Sequence, residues 1–157
     1  MSEHRATIEW ARREDGDFLK GQFSREHVWA FDGGVVVPAS PSPSVVPRPY
    51  ANPAAVDPEE AFVASVSSCH MLTFLHVAWR GGFQVERYRD EAVGVLTKNE
   101  RGVAWVSSIT LRPQIVYGGD RRPSPVDEAR LHHLAHEQCF IANSVKTEVV
   151  VKEPESA

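Results

Sequence analysis

Residues 57–82 set the architecture that the sequence predicts, and they read DPEEAFVASVSSCHMLTFLHVAWRGG. Asp57 can cap a helix, Pro58 suits its first turn, and Glu60 completes a capping box. The two glycines that end the stretch supply a stop signal. We therefore predict a helix from about residue 58 to residue 80. It is apolar nearly all round, so it must be buried on several sides, inside the subunit or by a second subunit.

The middle of this helix has the length of a membrane span but not its composition. Residues 61–79 carry no Asp, Glu, Lys or Arg, and their number is close to the roughly 20 that cross a bilayer. However, the run contains three serines, two histidines, Thr73 and Cys69, and hydrocarbon penalises so many polar groups. We predict a core helix and no membrane partner.

Composition and charge limit the class of protein. The 157 residues, 42% of them apolar, predict one domain over residues 1–157. The net charge is -4 and the basic residues are scattered, so we expect no nucleic-acid partner. Residues 1–10 are polar and charged, which predicts a cytoplasmic protein with reduced thiols. No glycine-rich phosphate loop is found, and no cofactor is expected.

Strand patterns flank the helix on both sides. We predict strands at 6–12, 26–32 and 35–37 before it, strands at 84–98, 103–117 and 145–152 after it, and a second helix at 125–139. Residues 38–53 are rich in Pro and Ser and are predicted to form a surface loop. This order predicts an α+β fold with helices set against antiparallel sheet.

The chain has two cysteines, Cys69 and Cys139, and each falls in a predicted helix. A buried cysteine on an apolar helix is usually a small hydrophobic residue, but two thiols on rigid elements can also form a peroxide-reducing pair. The dipole of a helix acts only near its ends, so it cannot stabilise a thiolate at Cys69. An arginine held by a carboxylate is suited to that task.

Two motifs resemble the OsmC/Ohr family of organic hydroperoxide reductases. Residues 57–71, DPEEAFVASVSSCHM, look like that family's central-helix signature, which is a Pro-Glu start and a small-residue run ending in Cys. Residues 135–139, AHEQC, followed by Asn143, resemble its second cysteine motif. With the surrounding strand pattern, the resemblance covers nearly the whole chain.

The resemblance implies an OsmC-like fold and an intertwined homodimer whose long helices form a shared core. Cys69 matches the peroxidatic cysteine, Cys139 the resolving cysteine, and Glu59 the glutamate at the helix start. An arginine from the N-terminal hairpin loop completes the family's site. Arg25 lies at the corresponding place, and Arg48 is a competing candidate. The implied substrate is an organic hydroperoxide, and the implied reductant is a dithiol, lipoyl-type or other.

The residues around the thiols refine this expectation. Glu59 precedes Cys69 by ten residues, about 15 Å along one helix, so we expect it to reach the site from the other subunit or through a long arginine. Phe140 replaces the proline that often follows the second cysteine in the family. Apolar surroundings predict alkyl or lipid-like substrates rather than hydrogen peroxide, and they include Phe62, Met71, Phe74, Phe140 and Ile141.

Three alternatives compete with the peroxidase hypothesis. His132, His136 and Cys139 share one helix face, so a metal site is conceivable, although no tight ligand spacing exists and His132 and His133 are expected to face solvent. A Cys-His hydrolase is disfavoured, because His70 points about 100° away from Cys69. The third alternative is a non-catalytic member of the family that binds a small apolar ligand or senses oxidation.

Overall fold

Eight strands and two α-helices follow one another in the part of the chain that the computed structural model describes, residues 1–14 and 16–152. In chain order they are β1 Ala6–Glu9, β2 His27–Phe31, β3 Val36–Ala39, α1 Pro58–Arg80, β4 Gln84–Asp90, β5 Val93–Lys98, β6 Ala104–Leu111, β7 Pro113–Gly118, α2 Pro125–Gln138 and β8 Glu148–Val151. The chain divides into two units, Met1–Ala61 and Phe62–Ala157, and the prediction of one domain stays a prediction.

The N-terminal unit contains an antiparallel sheet with the strand order β1-β2-β3. Glu9 pairs with Val28 and His27 pairs with Ala39, so the predicted hairpin is confirmed, although β1 ends at Glu9. Strand β3 extends past the predicted residue 37 through Pro38. A proline without an N–H is tolerated there because β3 is an edge strand.

Helix α1 begins and ends where the sequence predicts. The N–H of Asp57 donates to Glu60 Oε2 at 3.1 Å, and the N–H of Glu60 donates to Asp57 Oδ1 at 2.7 Å, which is the expected capping box. Gly82 ends the helix with φ of 75°, in the left-handed region that favours glycine. The N–H of Phe83 then closes back onto the carbonyl of Ala78 at 3.0 Å.

One stripe of α1 is buried, and the opposite face is open. The buried residues are Val66, His70, Phe74, Val77 and Ala78, which recur every three to four positions as a helix face does. Within the described residues α1 alone is long and apolar enough to cross a membrane, a finding based on length and composition only. The buried stripe supports the predicted core helix, because it packs in both cores of the C-terminal unit.

The C-terminal unit differs from the sequence prediction in its strands. The two long predicted strands are each divided, so that β4 pairs with β7 while β5 and β6 form another sheet with β8. The division follows from one contact between residues distant in sequence and from one proline. The N–H of Arg112 donates to the Asp90 side chain at 2.6 Å instead of to a neighbouring strand, and Pro113 has no N–H to offer. Strand β8 pairs with β6 in parallel, unlike the antiparallel pairs elsewhere.

Helix α2 carries its own capping box. The N–H of Asp127 donates to Ser124 Oγ at 3.2 Å, and the N–H of Ser124 donates to Asp127 Oδ2 at 3.0 Å. The helix ends at Gln138, one residue before the predicted end, and Cys139 is its C-terminal cap in extended conformation. The chain therefore leaves the helix at Cys139, the residue that carries the second thiol.

Two hydrophobic cores stabilise the C-terminal unit. Core 1 consists of Phe74, Val77, Ala78, Phe83, Leu131 and Ala135. Core 2 consists of Val66, Ile109 and Leu111, with Phe62, Val63 and Ile141 among the partly buried residues packed against it. Because Val66 and Phe74 belong to different cores, the segment with Cys69 lies where the two cores meet along α1.

Candidate functional site

Cys69 lies in the middle of α1 and is partly buried. The backbone N–H of Ile141 donates to its Sγ at 3.5 Å, from the turn that follows α2. The hydroxyl of Thr73 donates to the Cys69 carbonyl at 2.9 Å, so that oxygen is satisfied within the helix. The sulfur therefore faces the end of α2 while its backbone stays in regular helical geometry.

Cys139 is fully buried and is held by the turn after α2. The N–H of Ala142 donates to its Sγ at 3.4 Å. The side-chain amide of Asn143 donates to the carbonyls of Cys139 and Glu137, both at 2.9 Å. These bonds satisfy carbonyls that the helix end leaves free, and they fix the direction of the second thiol.

The structure brings the two sequence-predicted cysteines together. Both are free thiols, and their sulfurs accept from consecutive backbone N–H groups of one turn, Cys69 from Ile141 and Cys139 from Ala142. Burial raises the pKa of the Cys139 thiol to about 11, and the neighbouring Cys69 acts in the same direction. At neutral pH Cys139 is therefore a protonated thiol.

Arg25 and Glu59 both lie in the N-terminal unit, where they do not meet. Arg25 donates to the carbonyl of Phe23 at 3.0 Å, and its guanidinium lies 4.1 Å from the centre of the Phe23 ring. Glu59 is half-buried in the first turn of α1. No hydrogen bond or ion pair joins Arg25 to Glu59 in the described part of this unit, and their roles stay predictions.

Arg48, the competing arginine, lines a cavity of about 720 Å³ in the N-terminal unit. Glu26 lines the same cavity and is ionised, because hydrogen bonds from Asn52 and Ser24 and the charge of Arg13 lower its pKa. The amide of Asn52 donates to Glu26 Oε1 at 2.6 Å. This cavity is polar and contains no thiol.

A pair of histidines joins α1 to α2 beside the cysteines. His70 Nε2 and His132 Nδ1 share a hydrogen bond of 3.1 Å, and the two rings are within 10° of parallel. Burial lowers the pKa of each to about 4, so both are neutral at pH 7. The expectation that His132 faces solvent is wrong, because its ring packs 4.5 Å from that of Phe74. His133 is exposed, as expected.

The contacts of the histidines bear on two alternatives, the metal site and the Cys-His hydrolase site. No group of three His, Cys, Asp or Glu side chains among the described residues is arranged to hold a metal ion. The hydrogen bond between His70 Nε2 and His132 Nδ1 already engages both of these ring nitrogens. The imidazole next in sequence to Cys69 is therefore not placed as its base, as the helix geometry predicts.

The apolar residues expected around the thiols are divided between core and surface. Phe74 is fully buried in core 1, while Phe62 and Ile141 pack against core 2. Phe140, directly after Cys139, is 83% exposed. The sequence did not predict that the backbone N–H groups of Ile141 and Ala142 donate to the two sulfurs. Main-chain donors cannot be recognised from residue type, because every residue except proline has one.

Comparison with known proteins gives the family. The sequence profile described as OsmC-like protein matches residues 51–153. An OsmC-like protein of unknown function from Vibrio cholerae shares 52% identity over 98% of this chain and 100% of its own, with a TM-score of 0.95. No curated protein matches the chain.

More distant structures share the fold. The organic hydroperoxide resistance protein OhrB of Bacillus subtilis is 18% identical, with 98% of each chain covered and a TM-score of 0.67. An organic hydroperoxide resistance protein OsmC from Legionella pneumophila is 16% identical, with 98% of this chain and 96% of its own covered and a TM-score of 0.67. The α+β fold predicted from the sequence is confirmed, and the chain belongs to the OsmC-like family, which includes the OsmC and Ohr proteins.

Proposed function

We propose that this protein is a cysteine-based peroxidase that reduces organic hydroperoxides to alcohols. The observation that carries the proposal is that the free thiols of Cys69 and Cys139 lie at the same turn, where the adjacent N–H groups of Ile141 and Ala142 donate to them. Names of structural relatives such as OhrB support the choice of substrate. Cys69 is partly exposed and Cys139 is buried, so we assign the attack on the hydroperoxide to Cys69.

The reaction proceeds in three balanced steps. The Cys69 thiolate attacks the distal peroxide oxygen, the O–O bond breaks, and the leaving alkoxide takes a proton to become an alcohol. The Cys139 sulfur then attacks the Cys69 sulfenic acid, which forms a disulfide and releases water. An external dithiol, lipoyl-type or other, reduces the disulfide by thiol–disulfide exchange and is itself oxidised to a disulfide.

The attacking sulfur also needs a positive group. A thiolate is stabilised by a cation beside it, and we propose Arg25 for that role, with Arg48 as the competitor and Glu59 as the carboxylate that orients the guanidinium, as the family resemblance implies. Arginine suits it because it stays charged when desolvated.

A homodimer is part of the proposal. The open face of α1 carries Leu72 and Trp79, which are 61% and 68% exposed. Large apolar residues on a helix face opposite its buried stripe favour cover by a second subunit. In such a dimer Glu59 of one chain can serve the arginine of a site in the other. A cytoplasmic location is also part of the proposal, because the reaction starts from reduced thiols and thiols stay reduced there.

Turnover with a dithiol tests the proposal. Purified protein is mixed with dihydrolipoamide and either cumene hydroperoxide or hydrogen peroxide, and peroxide loss is followed. We expect catalytic loss of the organic peroxide, a lower rate with hydrogen peroxide, and no catalysis by Cys69→Ser. A matched control, Ser68→Ala, changes the neighbouring exposed helix position and keeps activity. No turnover by the unmodified protein, or equal turnover by Cys69→Ser, would refute the proposal.

One observation favours the alternative of a non-catalytic, oxidation-sensing or ligand-binding protein. Because the pKa of Cys139 is raised to about 11, little thiolate is present to resolve a sulfenic acid at pH 7. A sensor would oxidise once and accumulate as the sulfenic acid or the disulfide. The same assay separates the two, since a sensor consumes one equivalent of peroxide per site even with excess dithiol.

A further inference from the structure

A second cavity, of about 550 Å³, lies in the C-terminal unit between the last turns of α1 and the side of α2. Its size falls within the range of roughly 300–1,000 Å³ that is usual for small-molecule sites. Four apolar side chains form one wall: Val77, Phe83, Leu131 and Leu134. Three of them belong to the buried residues of core 1, so this wall is rigid. Neither cysteine lines the cavity.

The remaining lining is strongly cationic. Arg80, Arg121 and Arg130 line the cavity, and Asp127 is the one carboxylate among its lining residues. Asp127 is already engaged, because Ser124 donates both its N–H and its hydroxyl to Oδ2, at 3.0 and 2.8 Å. Those bonds lower the pKa of Asp127, so it is ionised, and the lining keeps an excess of two positive charges.

Arg121 is held in position before any ligand arrives. Its Nη1 donates to the carbonyl of Gly81 at 2.8 Å, where α1 ends. Its guanidinium lies 4.5 Å from the centre of the Phe83 ring, in cation–π contact. The charges of Arg121 and Arg130 help to lower the pKa of Asp127, but within the described residues no direct ion pair joins Asp127 to any of the three arginines. A guanidinium has five N–H donors, so most of those donors remain available.

We propose that this cavity binds an amphipathic carboxylate, with the carboxylate on the arginines and the apolar chain on the wall of core 1. Arginine recognises carboxylates through paired hydrogen bonds. A small inorganic anion would leave the apolar wall uncovered, and an uncharged lipid would leave the arginines without an acceptor. The site is separate from the thiol pair, so the inference does not depend on the peroxidase chemistry.

Calorimetric titration with decanoate, below the concentration at which it forms micelles, tests the inference on the reduced full-length protein. We expect saturable binding with one site per chain. Acetate and 1-decanol should each bind at least about tenfold more weakly, because each lacks one half of the recognition. The double variant Arg80→Gln/Arg130→Gln should also weaken decanoate binding by about tenfold or more.

The matched control is Arg101→Gln/Arg122→Gln, which removes the same charge from exposed arginines outside the cavity. It should bind decanoate as the unmodified protein does, and the circular dichroism of both double variants should be unchanged. Absence of saturable decanoate binding, an equal loss in the control, or equally tight binding of acetate or inorganic phosphate would overturn the inference.

Discussion

Two side-chain pairs join α1 to α2 at neighbouring positions, and they differ in nearly every physical respect. His70 and His132 are both buried, share a hydrogen bond and stack on each other, and the His132 ring also contacts Phe74. Cys69 is partly exposed and meets Cys139 at the point where α2 ends. Adjacent residues on a helix point about 100° apart, which allows His70 to pack in the core while Cys69 stays partly exposed.

The difference shows that residue type alone does not assign a role. Histidine is the side chain most often associated with proton transfer and metal binding near pH 7. Here burial keeps the His70–His132 pair neutral, and the pair works as a packing contact. Cysteine is commonly an inert core residue, yet here Cys69 is partly exposed and both sulfurs accept from backbone N–H groups of one turn. The surroundings of the side chains, rather than their residue types, distinguish the histidine pair from the cysteine pair.

The largest expected effect is on the histidine pair. Replacing His70 by Ala opens a cavity beside the His132 ring and leaves His132 Nδ1 without its partner. We expect the free energy of unfolding to fall by about 4 kcal/mol, from the sum of the cavity and the unsatisfied group. Urea unfolding at pH 7 measures it. A loss below about 1 kcal/mol would mean that the pair does not hold the helices together.

Acid should weaken the same pair. Both histidines have folded pKa values of about 4, below the value of about 6.5 in an unfolded chain. The unfolded chain therefore binds protons first, so stability is full above pH 6.5 and falls as the pH drops toward 4. Nearby His136 adds to the lowered pKa of His70, and Asp90 opposes it.

We expect a loss on the order of 2 kcal/mol between pH 7 and pH 4, after allowance for partial solvent access. Unfolding curves at stepped pH measure it. His70→Gln, which does not titrate, should make the dependence shallower. If His70→Gln follows the same pH curve as the unmodified protein, the buried histidines are not its source.

A smaller effect is expected on the rate of disulfide formation between Cys69 and Cys139. Asn143 fixes the turn at Cys139 through two hydrogen bonds. In Asn143→Ala, the Cys139 thiol should therefore be held less firmly in its position relative to Cys69. We expect disulfide formation to slow about fivefold, which corresponds to about 1 kcal/mol. Rapid-quench thiol alkylation after peroxide addition measures the rate. Lys146→Ala, an exposed change nearby, is the control. Equal rates of disulfide formation in the two variants would contradict a positioning role of Asn143.

The smallest effect is expected next to the histidine pair. His133 lies beside His132 on α2 but is exposed, and its contact with Glu137 at 3.3 Å is on the surface. His133→Ala should change the free energy of unfolding by less than about 0.5 kcal/mol. This variant is the matched control for His70→Ala. A change above 1 kcal/mol would show that burial does not distinguish the histidines of α2.

Local signals predicted α1 almost to the residue, because Asp57, Glu60 and the closing glycines act within a few positions. The divided strands were missed, since the break depends on Asp90 accepting from Arg112, 22 residues away. The burial of His132 was missed for the same reason, as its partner is 62 positions distant. Sequence resemblance singled out the two thiols, but only the structure shows that they meet.

A stoichiometric oxidation tests whether Cys69 and Cys139 form a redox pair. One equivalent of cumene hydroperoxide is added to the reduced protein, free thiols are counted, and the linked peptides are mapped by mass spectrometry. We expect rapid loss of two thiols per chain to a Cys69–Cys139 disulfide, absent in Cys69→Ser and in Cys139→Ser. Two thiols that remain free in the unmodified protein would contradict it.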